Sequence, residues 1–266
     1  MEYEPVKNIL RRVIRGRPLF RKMFYFALGR LFLRERYIKR ELADLIPRLG
    51  GKLHILDAGF GYGQYSYHIA MRYPNAVVEA AEIEPVMIED FGCFIEETGV
   101  DSISLRELNL TEMDDESRND LVLSVDVMEH IEDDMTVFGN IYRALKEGGI
   151  FLMHTPHLRE DAVGGVGAFV GEHVRDGYTT DELLEKLRAA GFDEIKYTLT
   201  YGKNGSLAWK LLQKFPISVL RVSKVFFLIL PLYFLLVYPM AEWSMKRDLK
   251  GDNAQGNGIM VKAWKR

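Results

Sequence analysis

The stretch Leu53-His-Ile-Leu-Asp-Ala-Gly-Phe-Gly-Tyr-Gly-Gln-Tyr-Ser66 decides how this chain folds. A short apolar run ends in Asp57, a turn containing Gly59, Gly61 and Gly63 follows, and a helical pattern begins directly behind it. So tight a turn favours residues without a Cβ, which adopt left-handed dihedrals and let a ligand come close to the backbone. The helix start adds unpaired N–H groups and the positive end of the helix dipole. Strand, glycine turn and helix in this order predict a nucleotide-type site at the carboxyl edge of a parallel sheet.

Spacing narrows the choice. A dinucleotide fingerprint requires Gly-x-Gly-x-x-Gly. Counted from Gly59, its third glycine would stand where this chain has Gln64. The pattern here is Asp57-x-Gly59-x-Gly61-x-Gly63, which resembles motif I of the class I S-adenosylmethionine (SAM) methyltransferases. The resemblance implies that the glycine turn lies against the methionine part of SAM and that Asp57 helps to hold its amino group.

Further motifs follow in the order that family shows. Ala76-Val-Val-Glu-Ala-Ala-Glu82 reads as a second strand ending in an acid, about 20 residues beyond the glycine turn, where a carboxylate can accept from both ribose hydroxyls. Ile83-Glu-Pro85 then opens a helix with proline at a tolerated early position. Asp120-Leu-Val-Leu-Ser-Val-Asp126, followed by Val127-Met-Glu-His130, resembles the fourth-strand motif of small-molecule methyltransferases. Leu145 to His154 resembles the Gly-Gly turn and fifth strand, and Tyr178 to Phe192 is a helix with threonine caps at its start and Gly191 at its end. The likeness covers roughly residues 50–202 and resumes at 258–266. It implies an α/β, Rossmann-like, seven-stranded and mostly parallel sheet with an antiparallel last strand. It also implies Asp57, Gly59, Gly61, Gly63, Glu82, Ile83, Asn109, Asp126 and Val127 as the residues that hold SAM. Asn109 stands where many relatives carry Asp near the adenine.

Composition bounds the rest. At 266 residues and 48% hydrophobic content this is one large domain or one domain with additions. The single cysteine, Cys93, excludes an intramolecular disulfide and a cysteine-based zinc site, and fits a reducing, cytoplasmic setting. The net charge of −3 hides an asymmetry: residues 1–40 hold 12 Lys or Arg against 3 Glu, leaving 23 basic and 35 acidic residues for the remainder. A basic arm on an acidic body seeks a polyanion. Within that arm, Phe20, Met23, Phe24, Ala27, Leu28 and Leu31 recur at steps of three or four, as in a basic amphipathic helix that lies in a membrane interface or packs on the fold. Bulky hydrophobes of this kind argue against nucleic acid as the partner.

The chain therefore divides into a basic N-terminal helical region (1–45), a SAM-binding core (46–202), an apolar helical insertion (203–257) and the final core strand (258–266). The insertion is the unusual part. Roughly 55 residues separate two strands that a short connection would join. From Val225 to Ala241 it contains no charged residue. As a helix those 17 residues cover about 26 Å, short of a bilayer core of about 30 Å. Pro231 and Pro239 argue for a kink or break, and the chain must return to donate its last strand. A shallow hairpin at the inner membrane face fits better, with Lys210, Lys214, Arg221, Lys224, Lys246, Arg247 and Lys250 meeting headgroups, and Trp209 and Trp243 at the interface. A lid over the substrate pocket or a dimer contact is the other reading.

The function these features support is methyl transfer from SAM to a hydrophobic small molecule or lipid at a membrane surface. The alternatives are a soluble metabolite as acceptor, or a non-catalytic scaffold that keeps the fold. An oxygen acceptor also needs a proton removed. His130, His157 and His173 are the candidates, with His154 and Glu172 nearby in sequence. No tight metal-ligand spacing is visible, so no metal is expected. The oligomeric state is left open.

Overall fold

The computed structural model describes residues 15–158, 174–222 and 228–266. Two helices, α1 (Pro18–Leu31) and α2 (Leu33–Leu49), precede β1 (Leu53–Ala58), α3 (Gln64–Arg72), β2 (Ala76–Glu82), α4 (Pro85–Thr98) and β3 (Ile103–Glu107). Then come β4 (Asn119–Val125), α5 (Asp134–Ala144), β5 (Leu145–Pro156), α6 (Thr180–Ala189) and β6 (Glu194–Thr200). The insertion holds α7 (Lys203–Trp209), a π-helical turn (Lys210–Lys214), α8 (Phe215–Val222) and α9 (Leu230–Lys250), and β7 (Gly258–Trp264) ends the fold.

The strands form one sheet in the order β3-β2-β1-β4-β5-β7-β6. All neighbours through β5 are parallel, and β7 runs antiparallel to both β5 and β6. β6 therefore points the same way as the first five strands, and the insertion leaves the sheet at the carboxyl edge. The topological switch point lies between β1 and β4, where a sheet of this kind opens its ligand crevice.

Alternation along the strands builds two cores. Leu53 and Ile55 of β1 face one side with α1, α2, α3, α4 and the insertion, whereas Leu56 and Ala58 face the other with α5 and α6. Local signals set the helix ends. Asp133 and Thr179 accept from Thr136 N–H and Glu182 N–H, Pro85 occupies the first turn of α4, and Gly99 closes it in the left-handed conformation.

Three sequence expectations are refined. The amphipathic arm is not one helix. It breaks at Phe32, which is extended (φ −110°, ψ 119°), and the N–H of Arg34 in the new first turn is taken by the Tyr201 hydroxyl at 3.0 Å. Nor does its apolar stripe face one way, since Phe24, Leu28 and Leu31 pack on the core while Leu19, Phe20, Met23 and Phe26 are exposed. The prolines do not end the second apolar helix either: Pro231 falls in the first turn of α9, where a missing N–H is harmless, and the helix continues through Pro239 to Lys250.

The insertion is rooted in the core. Ala208, Leu212, Ala241 and Met245 are buried in the same cluster as the sheet. Asp248, fully buried, accepts from Tyr37 Oη at 2.9 Å and from Gly205 N–H at 2.7 Å, tying α9 to α2 and α7. Among the described residues, no helix is long and apolar enough to cross a membrane.

Candidate active site

The site sits on the carboxyl edge of β1, β2, β4 and β5. The glycine turn hangs from β2, with Gly59 N–H and Phe60 N–H both donating to Ala81 C=O at 2.9 and 3.1 Å. Its three glycines have positive φ (82°, 55° and 76°) but different surroundings. A Cβ on Gly59 would lie 2.5 Å from a Val127 methyl, and one on Gly63 2.4 Å from the Phe91 ring, whereas one on Gly61 would meet nothing within 4 Å. Gly59 and Gly63 let the turn pack against the protein; Gly61 leaves a cradle open.

Three carboxylates surround that cradle. Glu82 at the tip of β2 accepts from Gly61 N–H at 3.0 Å and from Ile83 N–H at 2.9 Å, which holds the acid against the turn and leaves further lone pairs on both oxygens. Asp57, buried at the end of β1, accepts from Ser66 Oγ at 2.6 Å. Burial pushes its carboxyl up to about 7; the Ser66 hydrogen bonds oppose the rise, and the neighbouring Glu82 and Glu35 add to it. Glu35, reaching down from α2, is buried, pairs with Lys39 at 2.9 Å and interacts with the Tyr65 hydroxyl. Gln64 Oε1, just behind the turn, is buried with no hydrogen-bond partner among the described residues. A cradle that a side chain would fill, with Glu82 held against the turn and the buried carboxyl of Asp57 close by, fits a cationic ligand that brings hydrogen-bonding groups, as SAM does.

The β4 end holds a second group. Asp126 lies in the left-handed region at φ 52°, a costly conformation for a residue other than glycine and one that often marks a functional position. One carboxylate oxygen accepts from His154 Nδ1 at 2.7 Å, and the other pairs with Arg34, which enters from α2. His154 is buried, and burial with the nearby Arg34 charge pushes its pKa down to about 3, so the ring is neutral. Nδ1–H therefore donates to Asp126, and Nε2 accepts from the Thr200 hydroxyl at 3.0 Å. Next to this chain, Glu129 is buried and accepts from Thr155 Oγ1 at 3.1 Å. Burial lifts Glu129 to about 7, against the pull of its backbone and Thr155 hydrogen bonds and of Arg34.

The residues expected from sequence fall unevenly. Asp57, Gly59, Gly61, Gly63, Glu82 and Ile83 come together around the turn, with Ile83 exposed. Val127 touches the same turn through the space beside Gly59. Asn109 follows β3, whose end joins β2 through Leu108 N–H to Glu82 C=O at 3.0 Å, and its Oδ1 caps a short turn by accepting from Thr111 N–H and Oγ1. His130 is exposed on the turn after β4. His157 has both ring nitrogens engaged, Nδ1 donating to Gly256 C=O at 2.9 Å and Nε2 accepting from Thr180 Oγ1 at 3.0 Å, so it acts as a strut between loops. His173 and Glu172 lie outside the described residues. Sequence reasoning missed Arg34, Glu35 and Thr200, which carry no local motif and reach the site only through the fold. Among the described residues, no group of three or more His, Cys, Asp or Glu gathers so as to hold a metal ion.

Acid-tipped first and second strands around a three-glycine turn, on a sheet of this order, define the class I methyltransferase fold. Residues 55–149 match the family model described as a methyltransferase domain. Over 98 residues the chain is 31% identical to malonyl-acyl-carrier-protein O-methyltransferase 1 of Ilyobacter polytropus, a match covering 36% of this chain and 35% of that protein. The chain thus spans about a third of the length of the curated relative it matches. Among solved structures, phosphoethanolamine N-methyltransferase 2 of Haemonchus contortus, in complex with S-adenosyl-L-methionine, superposes with a TM-score of 0.56 at 20% identity, over 85% of this chain and 52% of that one. The (4+2)-cyclase SpnF superposes at 0.58 and 19% identity, over 85% and 80% of the two chains. These two likenesses speak for the fold alone, and a cyclase among them shows that the fold hosts more than one chemistry. Residues 55–149 thus form a methyltransferase domain of the class I, SAM-dependent kind.

Proposed function

We propose that this protein transfers a methyl group from SAM to a hydrophobic or lipid-like acceptor at the surface of an anionic membrane. The observation that carries the reading is the outer face of α9. Leu232, Leu235, Leu236, Met240 and Trp243 recur at helical spacing and are exposed, Leu235 and Leu236 at 73% and 70%. A contiguous apolar face of this kind marks an interaction site. It ends in Lys246, Arg247 and Lys250, with the Arg247 guanidinium 4.6 Å from the Trp243 ring centroid. Apolar turns followed by cations match a helix lying among acyl chains with its basic end at the headgroups. The helix belongs to an insertion that leaves the sheet at the carboxyl end of β6, beside Thr200 and hence beside the Asp126–His154 pair.

In this reading Asp57, Gly59, Gly61, Gly63, Glu82, Ile83, Asn109, Asp126 and Val127 hold the cofactor. Glu82 receives its ribose hydroxyls, Asp57 its amino group, and Ile83 presents an apolar surface to its base. Bound SAM supplies an electrophilic methyl group on a positively charged sulfur. The protein aligns the acceptor and excludes water. His154, Thr200 and Arg34 fix the carboxylate of Asp126 toward the acceptor side. For an acceptor that must lose a proton, His130, exposed at the β4 edge, and His173 are the proposed proton acceptors.

Two results test this. The buried Asp57 carboxyl binds a cationic amino group only when ionised. SAM affinity measured by calorimetry should therefore rise with pH up to about 7, by at most about tenfold per pH unit, and level off above it. The linked effect on the ligand-free fold has the opposite sign: a carboxyl raised from 3.8 to about 7 keeps its proton when folded, so its contribution to stability is lost as pH climbs through that window. Asp57→Asn should flatten the binding profile. For the membrane, Leu232, Leu235, Leu236 and Met240 changed together to serine should abolish flotation with anionic liposomes while leaving the melting temperature within a few degrees, because these side chains are exposed. Undiminished flotation would reject α9 as the membrane face.

A further inference from the structure

We propose that docking of α1 on an anionic lipid surface tightens the cofactor site, with Arg21 and Tyr25 as the physical link between the membrane and the glycine turn. This rests on the membrane and cofactor readings above and adds to them a regulation of the same site.

The link begins at Tyr62, the turn residue between Gly61 and Gly63. Its carbonyl accepts from Arg21 Nη1 at 3.2 Å and from the Tyr25 hydroxyl, both on α1. Its ring meets Phe24, again on α1, edge-on at 5.3 Å between centroids. Arg21 is held firmly. It pairs with Asp90 of α4, each side chain only 1% exposed, and its guanidinium lies 5.9 and 5.2 Å from the ring centroids of Phe91 and Phe94. Phe91 is the same ring that occupies the space beside Gly63. One buried face of α1 thus holds the glycine turn through its backbone and through its packing.

Among the described residues, nothing packs on the opposite face of α1. Leu19 is 70% exposed, Met23 57% and Phe26 65%. Cations stand over this face, Arg17 5.6 Å from the Phe20 ring and Arg30 5.0 Å from the Phe26 ring. The charge matches anionic headgroups, and the arrangement repeats the apolar and basic surface of α9. Arg36 joins the two helices, donating to Gly29 C=O and Arg30 C=O at the end of α1 and to Glu242 of α9 at 2.6 Å. A surface that engages α9 therefore finds α1 fastened alongside.

The consequence follows from chain entropy. Three glycines make the turn expensive to order, and donors from α1 offset part of that cost. Burying Leu19, Met23 and Phe26 in lipid stabilises the docked helix and hence the ordered turn. Linkage then requires that lipid tighten the cofactor and that the cofactor tighten lipid binding by the same factor.

The experiment is calorimetric titration of the full chain with S-adenosylhomocysteine, with and without vesicles of phosphatidylcholine containing a quarter phosphatidylglycerol, alongside flotation of the same samples. Affinity should rise about tenfold with vesicles, within the range of ordinary coupling. Tyr25→Phe, and Tyr25→Phe combined with Arg21→Lys to keep a charge facing Asp90, should still float but gain under about twofold. Flotation with no change in affinity would overturn the coupling and leave the membrane reading intact. Variants that gain as much as the parent would overturn the route through Tyr62. A chain that ignores vesicles and sediments as a stable dimer would overturn the membrane reading and the coupling with it. Failure to bind S-adenosylhomocysteine under any condition would overturn the cofactor reading instead.

Discussion

Gly61→Arg abolishes SAM binding while the protein stays folded: this is the first and most direct expected result. The open space beside Gly61 is where the proposed cofactor would lie against the turn, and an arginine there would fill the cradle and compete for Glu82. A loss of at least about a hundredfold in affinity, roughly 2.7 kcal/mol, is expected by calorimetry. The backbone at φ 55° adds strain of about 1–2 kcal/mol, within what a domain of this size tolerates. The neighbouring glycines give the contrast. At Gly59 and Gly63 even alanine would press to 2.5 Å on Val127 and 2.4 Å on Phe91, so overpacking of about 1–3 kcal/mol joins the strain and the loss falls on stability. If Gly61→Arg bound SAM as the parent does, the cofactor would lie elsewhere and the reading of the turn would be wrong.

Asp90→Ala should be the most destabilising single substitution of a charged residue in the molecule. Arg21 and Asp90 are buried together, and removing one partner leaves a buried charge uncompensated, which costs about 3–5 kcal/mol. Urea unfolding should show this as a lower midpoint with an unchanged slope. Pairing Asp90→Ala with Arg21→Met should recover part of the loss, since two apolar groups of similar volume replace an ion pair at little net cost. A loss below about 1 kcal/mol for the single variant would mean that α1 is not held against α4 as the structure shows.

Much of the fold was legible because its signals are local. The acid-tipped strands, the glycine spacing, Pro85 opening α4 and Thr179 capping α6 each depend on a few adjacent residues, and the structure places them as read. The strand that closes the sheet was legible from the likeness of Gly258 to Trp264 to the family's last strand, and the length of the insertion followed from it. The departures arose where distant partners intervene. The break at Phe32 is stabilised by Tyr201, far along the chain, and the continuity of α9 through Pro239 is supported by packing of Ala241 and Met245 and by the Asp248 anchor. His157 looked open in sequence because nothing local announces that Gly256 and Thr180 will occupy its two nitrogens.

The chain by itself determined the class of the sheet, the glycine turn and the apolar character of its additions, since periodicity and backbone freedom are properties of short segments. Only the tertiary structure decided which of those glycines has open space beside it, which side of each amphipathic helix is left exposed, and that Arg34, Asp126, His154 and Thr200 form one chain of hydrogen bonds. Those are relations between residues remote in sequence, and a charge or a cavity takes its meaning from what the fold sets beside it.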